Sequence, residues 1–338
     1  MTSTSRRVGF TVATLAVCAA AGGALSPAFA QSSLGEQRAG TSSGTFLRIG
    51  VGARAEGMGE TFVAVANDPS AIYWNPAGLA SIQGREVAAS HVDWPAEIHY
   101  DHLTLVIPWQ KMSGTIGVQF GLLGTRIEET TELQSFGTGR EFAYTDMVMG
   151  VAFARRWTDK LLVGAGVKLL REDLGSQVGG PTINAVLYDV GSIFYLGLGS
   201  VRIATALSNF GAELRPSGSY VSTVTGETRR YDGFDPPMTF HYGVAFEPVE
   251  NSTNRITTAI EMNQPADNQQ QLRTGMEWSY RRFFALRTGY NFNADQLKFS
   301  AGAGFSGDFA SLRGTLDYAY TDGGVLGGIN RLSLGVKF

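Results

Sequence analysis

Residues 283–293 read FFALRTGYNFN. Alternate positions give Phe284, Leu286, Thr288, Tyr290 and Phe292 on one side. Ala285, Arg287, Gly289 and Asn291 fall on the other. A period of two means an extended strand with one apolar and one polar face. The stretch 161–170, LLVGAGVKLL, divides into Leu161, Val163, Ala165, Val167 and Leu169 against Leu162, Gly164, Gly166, Lys168 and Leu170. Residues 311–320 repeat the pattern, with Leu312, Leu316, Tyr318 and Tyr320 opposite Arg313, Thr315 and Asp317. A soluble β-sandwich alternates in the same way, so the connections must decide between the two architectures.

Fourteen candidate strands can be marked, near 85–93, 98–108, 114–126, 140–157, 161–173, 183–195, 200–209, 238–248, 254–263, 270–280, 283–293, 296–306, 308–320 and 329–338. The connections at 109–113, 158–160, 196–199, 249–253, 281–282 and 307 are short. Those at 127–139, 174–182, 210–237, 264–269 and 321–328 are mostly longer and polar, with short exceptions at 94–97 and 294–295. Outer-membrane barrels sort their loops this way, with short periplasmic turns and longer outer loops. Sandwich loops have no reason to. The expected fold is therefore all-β, a transmembrane antiparallel up-and-down barrel of about fourteen strands.

The N-terminus supports export. Arg6 and Arg7 precede an apolar run from Val8 to Leu25, and Ala28-Phe29-Ala30 forms an A-x-A cleavage box. A retained anchor fits less well, because the run is rich in Ala and Gly and ends in Ser26-Pro27. Lipoprotein processing is disfavoured by Val17 before Cys18, and a twin-arginine route by Phe10 standing one place late. Cleavage after residue 30 removes Cys18, the only cysteine, so thiol and disulfide chemistry are excluded. Loss of Arg6 and Arg7 takes the formal charge from −3 to −5. No basic stripe for nucleic acid is present. Outside the signal no apolar run approaches the roughly 18 residues of a spanning helix.

Trp109, Trp157 and Trp278 fall at strand ends beside short turns, where an interfacial girdle sits. The chain ends RLSLGVKF, with Leu332, Leu334, Val336 and Phe338 on one face. A last strand closing on an aromatic residue resembles the terminal signal of bacterial outer-membrane barrels. The motifs Gly302-Ala303-Gly304-Phe305-Ser306-Gly307 and Gly50-Val51-Gly52-Ala53-Arg54-Ala55 match dinucleotide fingerprints only as strings; the first runs from strand into strand, and 43 glycines make chance matches common. His99 and His102 point to opposite faces of a strand and cannot share a metal. His91 and His241 lie elsewhere, and no Ser/His/acid arrangement is legible. No catalytic residue, metal or cofactor is expected, and the protein is read as a non-enzyme. Lys168, Arg202, Arg287, Arg313, Asp146 and Asp317 are candidate lumen charges, lining a pathway or holding the barrel open as ion pairs.

Residues 67–81, NDPSAIYWNPAGLAS, are neither clean strand nor long helix. Asp68-Pro69 reads as an N-cap with proline at the first helical position. Asn75-Pro76-Ala77-Gly78 suits a type I turn, or a second short helix capped by Asn75. Gly52-Ala53-Arg54-Ala55-Glu56-Gly57-Met58-Gly59, then Phe62 to Ala71 and Tyr73 to Leu79, resemble the N-terminal signature of the PorV/PorQ family, barrels related to the FadL fatty-acid transporters. The likeness runs from about Phe46 to Phe338 and includes 317–320 and 331–334.

The resemblance implies a cleaved signal at 1–30, an N-terminal extension and periplasmic-side hatch at 31–84, and an outer-membrane barrel at 85–338. The hatch residues it implies are Arg54, Gly57, Met58, Gly59, Asp68, Pro69, Trp74, Asn75, Pro76 and Gly78. It further implies a non-enzymatic component of type IX-like protein secretion and surface attachment. Secretion subunits or cargo would then be the partners, met at Arg229, Arg230, Tyr231, Phe234, Pro236 and Pro237 of the longest loop. The alternative is a FadL-like passive channel for hydrophobic small molecules or fatty acids. Either places the chain in the outer-membrane lipid of a double-membrane bacterium. Outer loops that are short apart from 210–237 depart from a large cargo platform.

Overall fold

A computed structural model describes residues 39–130, 133–222, 225–294 and 296–338. The expected signal peptide lies outside these residues. The chain forms β1 (Glu86–Trp94), β2 (Ile98–Trp109), β3 (Gly114–Glu128), β4 (Glu141–Arg156), β5 (Leu161–Asp173), β6 (Thr182–Tyr195) and β7 (Arg202–Gly211). After a small external hairpin of β8 (Ser219–Val221) and β9 (Thr228–Arg230) come β10 (Thr239–Glu250), β11 (Asn254–Pro265), β12 (Gln271–Tyr280) and β13 (Phe284–Asn291). The chain ends in β14 (Phe299–Phe309), β15 (Leu312–Asp322) and β16 (Gly328–Lys337).

All strands except β8 and β9 join one closed antiparallel barrel of fourteen, in chain order. Closure is made by β1 on β16, in register from Glu86↔Lys337 to Asp93↔Asn330. A closed sheet leaves no edge, so every strand amide has a partner even where no water reaches it. Among the described residues no helix is long and apolar enough to cross a membrane.

One turn differs from the expectation. A single-residue reversal at 307 does not occur; β14 continues to Phe309, and the chain turns through Ala310 and Ser311 with Ala310 at φ 55°. A two-residue hairpin with positive φ matches the strand twist, whereas one residue cannot reverse the chain. The shift lengthens the connection expected at 294–295 to 292–298 and leaves 95–97 as the short connection at the long-loop end.

The outward faces are apolar: Leu286, Tyr290, Leu316, Tyr318, Leu332 and Leu334 are all exposed. Trp109 and Trp157 are exposed at the short-turn end, and Trp278, near the short-turn end of β12, donates Nε1–H to Asn254 Oδ1 at 3.1 Å. Inward positions carry the charges and several glycines.

The segment before β1 runs inside the barrel. Thr41 to Ser43 meet Asp235 of the longest loop through two backbone hydrogen bonds, at the long-loop end. A 3-10 turn, Thr45–Arg48, follows, then α1 (Ala53–Gly57), α2 (Ala71–Trp74) and a second 3-10 turn, Pro76–Ser81. Phe46, Leu47 and Val51 pack with Tyr100, Leu170 and Leu187 in the long-loop half. Ala55 to Ile82 pack with Val106, Leu162 and Ile193 in the short-turn half. The segment thus threads the lumen from one end to the other and is not confined to the short-turn side.

Candidate functional site

The turn chemistry of 67–81 explains how this segment holds its shape. Asp68 Oδ1 accepts from the Ser70 amide at 3.0 Å and its hydroxyl at 2.6 Å, closing the turn that leads into α2. Asn75 is extended (φ −161°, ψ 103°), as a residue before proline must be, and its Oδ1 caps the Ala77 amide at 3.1 Å. The Gly78 amide bonds Asn75 O at 2.9 Å, so the type I turn and the short helix start are one structure. The Asn75 side-chain amide donates to Val63 O at 3.0 Å and Ser192 O at 3.2 Å, stitching the segment to itself and to β6.

Two pairs of facing glycines make room for it. Gly275 and Gly289 are register partners on β12 and β13, and a Cβ on either would collide with Met58 or Gly59 backbone. Gly164 and Gly191 are partners on β5 and β6, and a Cβ there would meet Asn75, Pro76 or Ala77. Gly57 lies against Gly302, where a Cβ on either would lie 3.1 Å from the other's Cα. The Gly302 fingerprint is therefore a site of close packing inside a strand.

Charges tie segment to wall. Arg54 pairs with Glu277 and Asp68, each at 2.9 Å, and Glu277 also holds Arg287 at 2.6 Å, which reaches Asp317 at 2.6 Å. Glu56 pairs with Arg331 at 2.6 Å and Glu60 with Arg273 at 2.7 Å. Glu261 accepts the Phe62 and Val63 amides at 2.8 and 2.9 Å and contacts His241 at 2.8 Å. Arg202 donates to Ala64 O at 2.6 Å while bonded to Glu247 at 2.9 Å. Lys168 lies between Asp189 (2.8 Å) and Asn209 (2.7 Å).

All six sequence-nominated lumen residues point inward, but not as one cluster. Asp146 is buried and accepts the Tyr144 hydroxyl at 3.0 Å, and Arg313 lies at the short-turn mouth, donating to Arg282 O at 2.9 Å. Glu56, Glu60, Glu261, Arg273, Glu277 and His241 were not singled out by sequence. Strand alternation puts four of them on inward faces, yet nothing in the pattern says which one meets the inner segment.

The nominated loop residues divide too. Arg229 and Arg230 are exposed on β9, Tyr231 packs on Tyr220 at 5.3 Å, and Phe234 bridges Leu214. Pro236 is half-buried. Pro237 is buried against Gly44, its carbonyl accepting from Asn209, which removes it from any partner-facing surface. Prolines lack an amide to satisfy and pack readily where the inner segment emerges.

Two cavities lie on opposite faces of the inner segment. The larger, about 680 Å³, opens toward the short-turn end among Arg54, Asp68, His102, Glu277, Arg287 and Asp317. The smaller, about 250 Å³, lies on the long-loop side among Leu47, Ile49, Tyr73, Trp74, Trp94 and Leu297, with Arg273 and Lys168 at its wall. Val51 and Gly52 line the first; Ile49 and Trp74 line the second. The two linings therefore come together at residues 49–52, where Trp74 Nε1–H donates to Val51 O at 2.8 Å across a thin septum. Burial raises the Tyr73 phenol well above its ordinary range, so it stays a neutral donor to Leu47 O at 3.0 Å.

The profile of an uncharacterised protein family (UPF0164) matches residues 14–122, less than half the chain. No curated protein matches. Among solved structures, the chain is similar to a monoaromatic hydrocarbon channel, the TodX deltaS2S3 mutant, at 15% identity and TM-score 0.59, with 85% of this chain and 98% of that one covered. It is similar to the Ralstonia pickettii toluene transporter TbuX at 14% identity and TM-score 0.56, over 85% and 97% of the two chains. The Pseudomonas putida toluene transporter TodX matches at 16% identity and TM-score 0.55, over the same shares. At these identities the likeness is one of fold: a closed fourteen-stranded barrel of the architecture found in outer-membrane channels.

Proposed function

We propose that the protein is an outer-membrane channel for small hydrophobic molecules, with residues 41–81 as its hatch. The observation that carries this reading is the pair of cavities meeting at the Trp74–Val51 septum. The outer cavity presents Leu47, Ile49, Tyr73, Trp74, Trp94 and Leu297 beside polar and charged groups that include Arg48, Glu60, Lys168 and Arg273. At about 250 Å³ it is smaller than the roughly 300 Å³ at which drug-sized pockets begin, so it suits a compact solute with an apolar face. The inner cavity is polar and charged, a water-filled vestibule into which such a solute would be released. The similarity to structures titled as hydrocarbon channels and toluene transporters favours this reading over a partner role in protein secretion.

The test is uptake by a deletion strain. Labelled toluene and a labelled long-chain fatty acid are supplied separately, and the strain complemented with the wild-type gene is the control. Slower entry of either, restored by complementation, is expected and identifies the solute class. Unchanged uptake of both, with a changed set of surface-attached proteins, would move the assignment to secretion.

A further inference from the structure

On the outside of the barrel, β1 and β2 carry four titratable side chains that the channel does not use. The outward residues of β2, read from the short-turn end, are Trp109, Ile107, Leu105 and Leu103, then Asp101 and His99. Across the ladder, His91 faces Asp101 and Asp93 faces His99. The outward register partners on the flanking strands are Leu122 and Gly124 on β3 and Leu332 and Asn330 on β16, so none of these four positions supplies a cation to the cluster.

Three of these side chains converge on one another. His91 Nε2 lies 3.1 Å from Asp93 Oδ1, and His99 Nδ1 lies 3.1 Å from the same oxygen. One donor atom from each of the three residues falls within 4.8 Å of the others. The imidazoles lie nearly parallel, 5.8 Å apart and 18° from coplanar. Two cross-strand ion pairs alone would keep each histidine on its own aspartate, but His91 reaches both.

We infer that His91, Asp93 and His99 form a binding site for a divalent transition-metal ion of the zinc type, on the outer wall of the barrel near its long-loop rim. His91 Nε2, His99 Nδ1 and Asp93 Oδ1 are the three ligands, and the fourth, outward position is left to water or an anionic headgroup oxygen. Asp101 is a positioning residue. It accepts the His91 Nδ1–H bond at 2.7 Å, which fixes the tautomer that presents the Nε2 lone pair, a carboxylate–histidine–metal arrangement. A divalent ion takes the Nε2 lone pair of a His91 protonated at Nδ1 and the Nδ1 lone pair of a His99 protonated at Nε2. Its two charges offset those of Asp93 and Asp101 at the border of the apolar belt, where uncompensated carboxylates are costly.

The full-length barrel, purified in detergent without a polyhistidine tag, is titrated with Zn²⁺ against a chromophoric chelator, and with Co²⁺ by visible absorption. One equivalent with the intense bands of tetrahedral Co²⁺ is expected, lost in His99→Ala. Asp101→Asn should weaken binding about 10- to 100-fold without changing the stoichiometry. Heat-modifiable gel mobility reports that each variant is folded. A measurement on the wild type needs no variant: Zn²⁺ should protect His91 and His99 from diethylpyrocarbonate, while the reactivity of His102 and His241, which face the lumen, should not change with metal. Absence of saturable binding, or unaltered modification of His91 and His99 at saturating Zn²⁺, overturns the assignment.

Discussion

Glu56 sits on α1 inside the lumen, 2.6 Å from Arg331, with its second oxygen buried and unbonded. Burial pushes its carboxyl up from the ordinary 4.5 to about 7, against the pull of Arg331 and with help from nearby Glu60. The docked segment therefore holds more protons than a released one between about pH 4.5 and 7, so docking weakens as pH rises through that window. Protection factors of residues 53–60, with the intrinsic pH dependence of amide exchange divided out, should be higher at pH 5 than at pH 8, and Glu56→Gln should flatten the difference. Glu277 on β12 is shared by Arg54 and Arg287. Glu277→Gln leaves both guanidinium groups undercompensated and should destabilise the folded barrel by about 3–5 kcal/mol, read from denaturant unfolding in lipid.

At the scale of elements, the inner segment docks where strands lack side chains. Gly289→Val puts a branched side chain into the backbone of Met58 and Gly59, while the β12–β13 ladder itself tolerates or prefers valine. The barrel should keep its heat-modifiable mobility, and single-channel conductance in planar bilayers should rise as the segment is displaced. A closed conductance identical to wild type would mean that the segment does not depend on this contact. A valine at Gly307, where a Cβ meets nothing within 4 Å, is the matched control.

For the whole molecule the question is whether the septum moves. A Cβ at Gly57 would lie 3.1 Å from Gly302 Cα and 3.2 Å from Arg287 Cβ, so segment and wall touch there with no room for a side chain. Gly57→Leu should therefore push α1 off the wall and raise solute uptake. Uptake equal to wild type would mean that α1 leaving the wall does not limit the passage of solutes.

The barrel was legible in the sequence because strand alternation and loop sorting are local signals. Residues 283–293 state their own two faces, and the difference between 174–182 and 158–160 needs no tertiary contact to be seen. The turn chemistry of Asn75-Pro76 was legible for the same reason, whereas Asp68, expected as the helix cap, closes a turn one step earlier and Ser70 is the N-cap of α2. The turn misplaced at 307 shows where local reading fails, since alternation passes unbroken through Phe309 and only register with β13 and β15 fixes the bend. The ion-pair network was not legible, because Glu56 and Arg331, or Phe62 and Glu261, are separated by some two hundred residues or more and meet only once the barrel has closed around the segment. His91, Asp93 and His99 illustrate the same limit at short range: their convergence needs the β1–β2 register. Sequence by itself determined the barrel strands, their faces and most of their turns, which follow from covalent geometry and side-chain polarity. The tertiary structure decided which inward charges meet, where the septum lies and how the lumen is divided, because those depend on closure of the sheet and on a segment threaded through it.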